Sequence, residues 1–459
     1  MTDHASEDAI DAGPDPQALL SIAENLVQRA RTAGADQAEA GISESRSLEA
    51  SVREGRLEDV ERSESRDAGV RVLIGKRQAG VAFSDLSEAG CALAVERAIA
   101  MARAAPEDPY CGLVDAAELA TDSREIELYE APDWDVAALE RAALRMEDAA
   151  MAVPGVEAIS SSGASESAAA SAVVLSNGFS SARRSSMRGL GIAPIAKRDG
   201  LMERDYETQS ARRAHDLRSA EEIGRIAGER AAARLGAEKL ASGKRPVLFD
   251  QRNAPSFLSS LLGAISGPSI ARGTSFLRDR LGEPVFADSI NVLEDPFRPW
   301  SHGARPHDGE GVAVRPRALI ENGVLTTWLL NAASARQLDL ELTGHGARRL
   351  GAPPGVSTAN VHLEAGPDSP EALIAGMKSG LIVTEMFGPS LNANTGDWSV
   401  GVAGFAVENG ERAHPVSEIT VAGNLIDMFA RLIPASDLEF RGRTNAPSVF
   451  IDDLAIGGA

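Results

Sequence analysis

A chain of 459 residues exceeds what one hydrophobic core ordinarily organises, so two domains are expected. Its 43% apolar content with only 4% aromatics calls for cores of Ala, Leu, Val and Ile, and a formal net charge of −21 speaks against nucleic acid or an anionic membrane surface as partner. Two cysteines, Cys91 and Cys111, give neither a disulfide framework nor a cysteine-rich zinc site, and no apolar run reaches the roughly eighteen residues of a membrane span.

In chain order, residues 1–15 are acidic and polar and read as a disordered tail without the apolar segment of a secretory signal. The expectation is a cytoplasmic protein. Asp15-Pro16 opens a helix with Leu19, Ile22, Leu26 and Ala30 on one face, closed at Gly34. Residues 38–60 turn strand-like around Glu54-Gly55. Val70, Val72 and Ile74 alternate into Gly75, and Val81 and Phe83 follow, which predicts another hairpin. A helix is expected from Ser87 to Ala104 and an Ala/Leu/Met helix from Asp133 to Val153. Residues 156–208 read as strands of poor periodicity, with a turn at Asn177-Gly178. Arg183, Arg184 and Arg188 within them read as a solvated face rather than a binding patch in so acidic a chain. Ser219 caps a helix expected to run to about Leu240, with Glu222 completing a capping box.

Beyond the Ser242-Gly243-Lys244 turn, a strand (Pro246 to Asp250), an apolar helix (Ala254 to Ile265) and a hairpin around Glu321-Asn322-Gly323 follow. Leu350 to Ser357 reads as a Gly/Pro loop, and Pro370 to Ser379 as a short helix. Strand clusters with helices between them argue for an α+β protein. Its expected parts are the tail (1–15), an N-terminal α+β domain of layers and hairpins (16–240) and a mixed, β-rich C-terminal domain with helices (241–459).

The most informative stretch begins at Leu391: LNANTGDWSVGVAGFAVENGE, continuing through PVSEITVAGNL. It reads as a glycine-spaced strand, a Glu408-Asn409-Gly410 turn, a return strand and a helix. Gly396, Gly401 and Gly404 are costly in a strand unless a backbone passes close, either a bound peptide or a tightly layered neighbour. Asn392, Asn394, Thr395 and Asp397 could hydrogen-bond a peptide backbone or satisfy their own turn.

These residues, with DLEFRG at 437–442, resemble the C-terminal region of the TldD/PmbA family, closest to its PmbA (TldE) branch. GADQAEAGISESRSLEASVREGRLEDVERSESRDAGVRVLIGKRQAGVAFSDLS and APEDPY carry the resemblance back through nearly all of the chain after residue 15. In the TldD branch an HExxxH helix precedes a GTS segment, and a cysteine near the C-terminus adds a zinc ligand. Here Arg272-Gly273-Thr274-Ser275 is preceded at the corresponding distance by Leu258-Ser259-Ser260-Leu261-Leu262-Gly263. Leu258 and Gly263 stand in place of the imidazoles and Ser259 in place of the glutamate, while residues 441–447 lack the cysteine.

The resemblance therefore implies a subunit of a TldD/PmbA metallopeptidase that acts on peptides or small unfolded proteins. It implies no cofactor in this chain, zinc in a TldD-like partner, and activity only with that partner. Asn392, Asn394, Thr395, Gly396, Asp397, Gly401 and Gly404 are the expected peptide-binding residues, with no catalytic or metal residue. The alternatives are an independent hydrolase with an unrecognised site and a non-enzymatic peptide-binding protein.

Other signatures fail. No G-x-S-x-G elbow occurs, neither glycine-rich segment completes a dinucleotide loop, and neither Gly-Lys pair is followed by Ser or Thr. His302 and His307, near Asp308 and Glu310, form a weak loop candidate for a divalent metal. His345 could line a pocket, though a solvated loop position is the expectation.

Overall fold

The computed structural model describes residues 13–121 and 124–458; most of the expected acidic tail lies outside them. Among the described residues the architecture is α+β. Helices α1 (Pro16–Thr32), α2 (Glu88–Ala104), α3 (Val136–Met151) and α4 (Ala220–Ala233) start at side-chain caps. Asp15, Ser87, Asp135 and Ser219 each accept a hydrogen bond from a first-turn N–H. They lie against a seven-stranded antiparallel sheet of β1 (Gln37–Arg53), β2 (Arg56–Ile74), β3 (Arg77–Phe83), β4 (Val156–Leu175), β5 (Ser180–Arg198), β6 (Leu201–Arg204) and β7 (Glu207–Ala211), in the order β3-β2-β1-β4-β5, with β6 and β7 both on β5.

Period-two alternation decides which side is covered. Ala38, Ala40 and Ile42 of β1 pack under α1 and α2, and Leu48, Ala50 and Val52 under α3 and α4. The opposite face meets the C-terminal half. There residues 346–349 and 352–356 pair as a hairpin where a loop was expected, and its tip lands on β2 and β3. A side chain at Gly69 or Gly80 would collide with the backbone of Gly351, so glycine is what lets the two layers meet.

Two further expectations are corrected. Helix α4 ends at Ala233, well short of Leu240, because Gly236 at φ +81° turns the chain away. Arg188 is not solvated: it is 1% exposed, with Nε and Nη2 each 2.8 Å from the carboxylates of Glu166 and Asp133.

In the C-terminal half, β8 (Gly243–Phe249), β9 (Ser379–Leu391), β10 (Asp397–Glu408), β11 (Glu411–Asn424) and β12 (Val449–Gly457) form a curled sheet. It runs β11-β10-β9-β8-β12 and closes where β12 pairs back onto β11. Asn409-Gly410 makes the tight turn the sequence announces, both residues at positive φ. Val247, Phe249, Leu381, Val383, Val400 and Val402 fill the core with α5 (Pro255–Ala264) and the helix Leu425–Arg431. A second, five-stranded sheet of short segments between Val292 and Asn445 packs beside it.

Candidate peptide-binding cleft

Helix α5 positions the first wall. Asp250 accepts hydrogen bonds from the Arg252 and Asn253 N–H groups, and Pro255 fits the first turn because it has no N–H to satisfy. Phe257, Leu258 and Leu261 then point into the core. The opposite face, with Ser256, Ser259, Ser260 and Gly263, lines a cavity of about 460 Å³ that is closed by Thr274, Phe276, Met386 and Trp398. The resemblance set Leu258 where a metal-binding imidazole would stand. The helix instead turns Leu258 inward at 2% exposure, and the cavity-facing residues are Ser256, Ser259, Ser260, Gly263 and Ala264.

The second wall comes from β9 and the β9–β10 connection, of which Met386, Pro389, Leu391 and Ala393 line the cavity; none of the seven expected peptide-binding residues lines it. Asn392 Oδ1 accepts from the Asn394 N–H (3.1 Å), and Thr395 Oγ1 donates to Asp397 Oδ2 (2.7 Å). Asn424 Nδ2 donates to the Thr395 carbonyl (2.9 Å) and to Asp397 Oδ1 (3.0 Å). Hydrogen bonds from Thr395 and Asn424 hold the Asp397 carboxyl below the usual range. Gly396, at φ +82°, lets the turn close over Phe276. Five of the seven expected peptide-binding residues thus share one turn, much of whose polarity serves the turn itself.

Gly401 and Gly404 lie elsewhere. They sit inside β10, which pairs with β9 on one side and β11 on the other, so no peptide strand can add to β10. At Gly404 a Cβ would collide with the Ile382 carbonyl; the glycine is explained by the neighbouring strand.

Sequence reasoning missed where the open edge lies. β9 pairs with β10 along most of its length, but with β8 only from Leu381 to Val383. Among the described residues nothing pairs with the other side of β9 beyond Thr384. Phe387 and Leu391, 44% and 38% exposed, stand along that overhang. Pro389 within it was the available signal, since proline in a strand marks an edge.

The histidines do not assemble a metal centre. His302 Nε2 pairs with Ser210 Oγ at 3.0 Å. His307 Nδ1 donates to the Asp308 carbonyl (2.7 Å), so its Nε2 accepts from Ser181 Oγ (2.8 Å). The Asp308 carboxylate is taken by the N–H groups of Glu310, Val312 and Gly346. His345 is neither solvated nor lining a cavity: it is 1% exposed and holds Glu294 at 2.8 Å. Burial works against that carboxylate, yet the His345 hydrogen bond and charge bring Glu294 below its usual range. Among the described residues no three His, Cys, Asp or Glu side chains stand together as a ligand set. A zinc ion of the kind the family implies does not fit the α5 cavity, whose helical wall offers only serine hydroxyls, a glycine and an alanine.

The fold and this cleft define a protein of the PmbA/TldD class. Three family models match in sequence: PmbA/TldA metallopeptidase domain 1 over residues 38–102, the central domain over 123–235 and the C-terminal domain over 242–458. The chain belongs to this metallopeptidase family. It is 34% identical to Metalloprotease PmbA of Escherichia coli, covering 92% of each chain, and 34% identical to the Metalloprotease PmbA homolog of Haemophilus influenzae, covering 96% of each. TldE from Thermococcus kodakarensis shares the fold with a TM-score of 0.84 at 21% identity, over 95% of this chain and 99% of that one. No helix among the described residues is long and apolar enough to cross a membrane.

Proposed function

We propose that this chain is the PmbA/TldE-like, metal-free subunit of a two-chain peptidase, working in the cytoplasm with a zinc-bearing TldD-like subunit on extended peptides or small unfolded proteins. The observation that carries the reading is the face α5 turns to its cavity, where Ser256, Ser259, Ser260 and Gly263 offer no imidazole, thiolate or carboxylate. Activating water at neutral pH needs a metal or a positioned base, and that group then comes from another chain.

The share left to this chain is binding. The overhang of β9 presents main-chain groups from Glu385 to Phe387 to which an extended segment can add as a strand. Met386, Phe276 and Trp398 give its side chains apolar contact, and Ala393 of the Asn392–Asp397 turn reaches the same cavity. The relatives' name, metalloprotease, agrees with a peptide substrate. Nucleic acid and membranes have no place in this reading, given the charge of −21.

The test is hydrolysis of an unstructured peptide by this chain, by a TldD-like chain carrying HExxxH, and by both mixed. Turnover is expected only, or far faster, in the mixture, and a chelator abolishes it. Chelator-insensitive turnover by this chain alone overturns the reading in favour of an independent hydrolase. Peptide binding that changes no partner's turnover favours a non-enzymatic peptide-binding protein.

A further inference from the structure

A second cavity, of about 630 Å³, shares no lining residue with the α5 cleft. It lies between the β1, β4 and β5 face of the large sheet and, from the C-terminal half, the loop around residues 302–309 and the hairpin segment 346–350. Five arginines line it, Arg183, Arg212, Arg305, Arg348 and Arg443, together with His302 and His307. In a chain of net charge −21 this inward concentration of cations calls for a cause.

Countercharge is scarce there. Asp308 is the only carboxylate among the lining residues, and three backbone N–H groups already occupy it. Arg348 is matched by Glu39 at 2.7 Å, and Arg305 reaches Glu294 only at 3.9 Å. Arg212 gives its guanidinium to carbonyl oxygens, among them those of Ser301 (3.0 Å), Leu128 (3.2 Å) and Ser186 (3.2 Å). Arg183 and Arg443 have no side-chain hydrogen bond or ion pair among the described residues, and both are open to the cavity.

The neighbours register this field. Burial, then Arg183 and Arg443, bring Arg212 down to about 10. Burial, with Arg183, Arg305 and Arg348 adding to it, brings His307 down to about 4 against the pull of the Asp308 carbonyl. Arg183 and Arg443 are exposed at the cavity mouth while Arg212 is buried, and like charges gathered this closely repel one another until an opposite charge enters.

We infer that this cavity binds a small, multiply charged oxyanion carrying phosphate or carboxylate groups, held by Arg183 and Arg443 with Arg212 and Arg305 behind them. Guanidinium forks match the paired oxygens of both groups. The volume is that of a small-molecule site. No Phe, Tyr or Trp lines it to stack a base, and the acidic envelope repels long polyanions.

The test is calorimetric titration of the full chain with inorganic phosphate, pyrophosphate and citrate at fixed ionic strength. It is repeated with Arg183→Gln, Arg443→Gln and the surface control Arg225→Gln, whose arginine pairs with Glu229 on α4. One saturable site is expected, weakened about tenfold or more by each cavity substitution and unchanged by the control. Preference for pyrophosphate assigns a phosphate ligand and preference for citrate a carboxylate one. Ligand-free Arg183→Gln should melt at or above the wild-type temperature, since it removes an unmatched cation. Should Arg443→Gln fold poorly, Arg443→Lys, which keeps the charge and loses the fork, takes its place. No saturable binding of any probe, equal losses in all variants, or a lower ligand-free melting temperature for Arg183→Gln would overturn the inference.

Discussion

Arg188 and Arg183 stand five residues apart on β5, and their surroundings are opposites. Arg188 is enclosed by carboxylates: Glu166 lies 2.8 Å from its Nε, Asp133 2.8 Å from Nη2, and Glu130 against Nη1. The Nε contact is close enough for charge pairing though poorly aligned as a hydrogen bond. Arg183 opens into a cavity already holding four other arginines. The same side chain is a completed structural group in one place and an unmatched charge in the other. The neighbours brought in by the fold decide which, so a cation's role is read from its partners and not from its exposure alone.

The largest expected effect breaks the completed side. Arg188→Met leaves Glu166, itself 1% exposed and already raised by burial, without its cation. The loss should be about 3–5 kcal/mol of unfolding free energy, measured by denaturant titration, with binding of oxyanions in the other cavity retained. A change within about 0.5 kcal/mol would show that the cluster is not structural, and the contrast with Arg183 would collapse.

What the sequence made legible was local. Caps at Asp15 and Ser219 and turns at Asn177-Gly178, Asn322-Gly323 and Asn409-Gly410 stand where their chemistry announces them, because each needs only its neighbours. β4 and β5 were nearly illegible because their alternation is written in Ala against Ser, as in Ala164 to Ala172, where polarity contrast is small. Arg188 carried a usable signal, since it shares its phase with the buried Leu190 and Ile192. The arginine cavity carried none: its five arginines come from five separated segments and meet only in the fold. Of the α5 cleft, the absence of imidazoles could be read, but the direction of Leu258 and the overhang of β9 needed the tertiary structure.

The next prediction tests completeness in the C-terminal sheet. Gly404→Ala drives a methyl group into the Ile382 carbonyl, with backbone on both sides and no flexible side chain to yield. A cost of about 2–3 kcal/mol is expected. Gly401→Ala, whose Cβ would meet the Phe387 carbonyl at 3.3 Å, should cost less. Normal stability of Gly404→Ala together with lost peptide binding would return Gly404 to the binding site and away from packing.

The smallest effect lies beside the arginine cavity, where the contrast has its mirror image in two buried carboxylates, Asp308 and Glu310, neither of which forms an ion pair among the described residues. Burial, then Asp308, pushes Glu310 up to about 7, against the Ala332 N–H at 2.8 Å and the charge of Arg71, with Glu39 adding to the rise. Its pKa is thus higher folded than unfolded, where it titrates near 4.5. The stability it contributes is fully present below about 4.5 and is lost as pH climbs through about 7. His307, brought down to about 4 from 6.5, acts in the opposite direction, since its folded form resists protonation and stability grows as pH rises across that interval. The raw stability curve mixes the two, so the informative quantity is the difference between wild type and Glu310→Gln. The glutamine keeps an acceptor for the Ala332 N–H and cannot ionise. It should match wild type near pH 4 and already exceed it by about 1–2 kcal/mol between pH 5.5 and 6. Identical pH dependence in the two proteins would show that Glu310 titrates as an ordinary carboxylate and that Asp308 does not press on it.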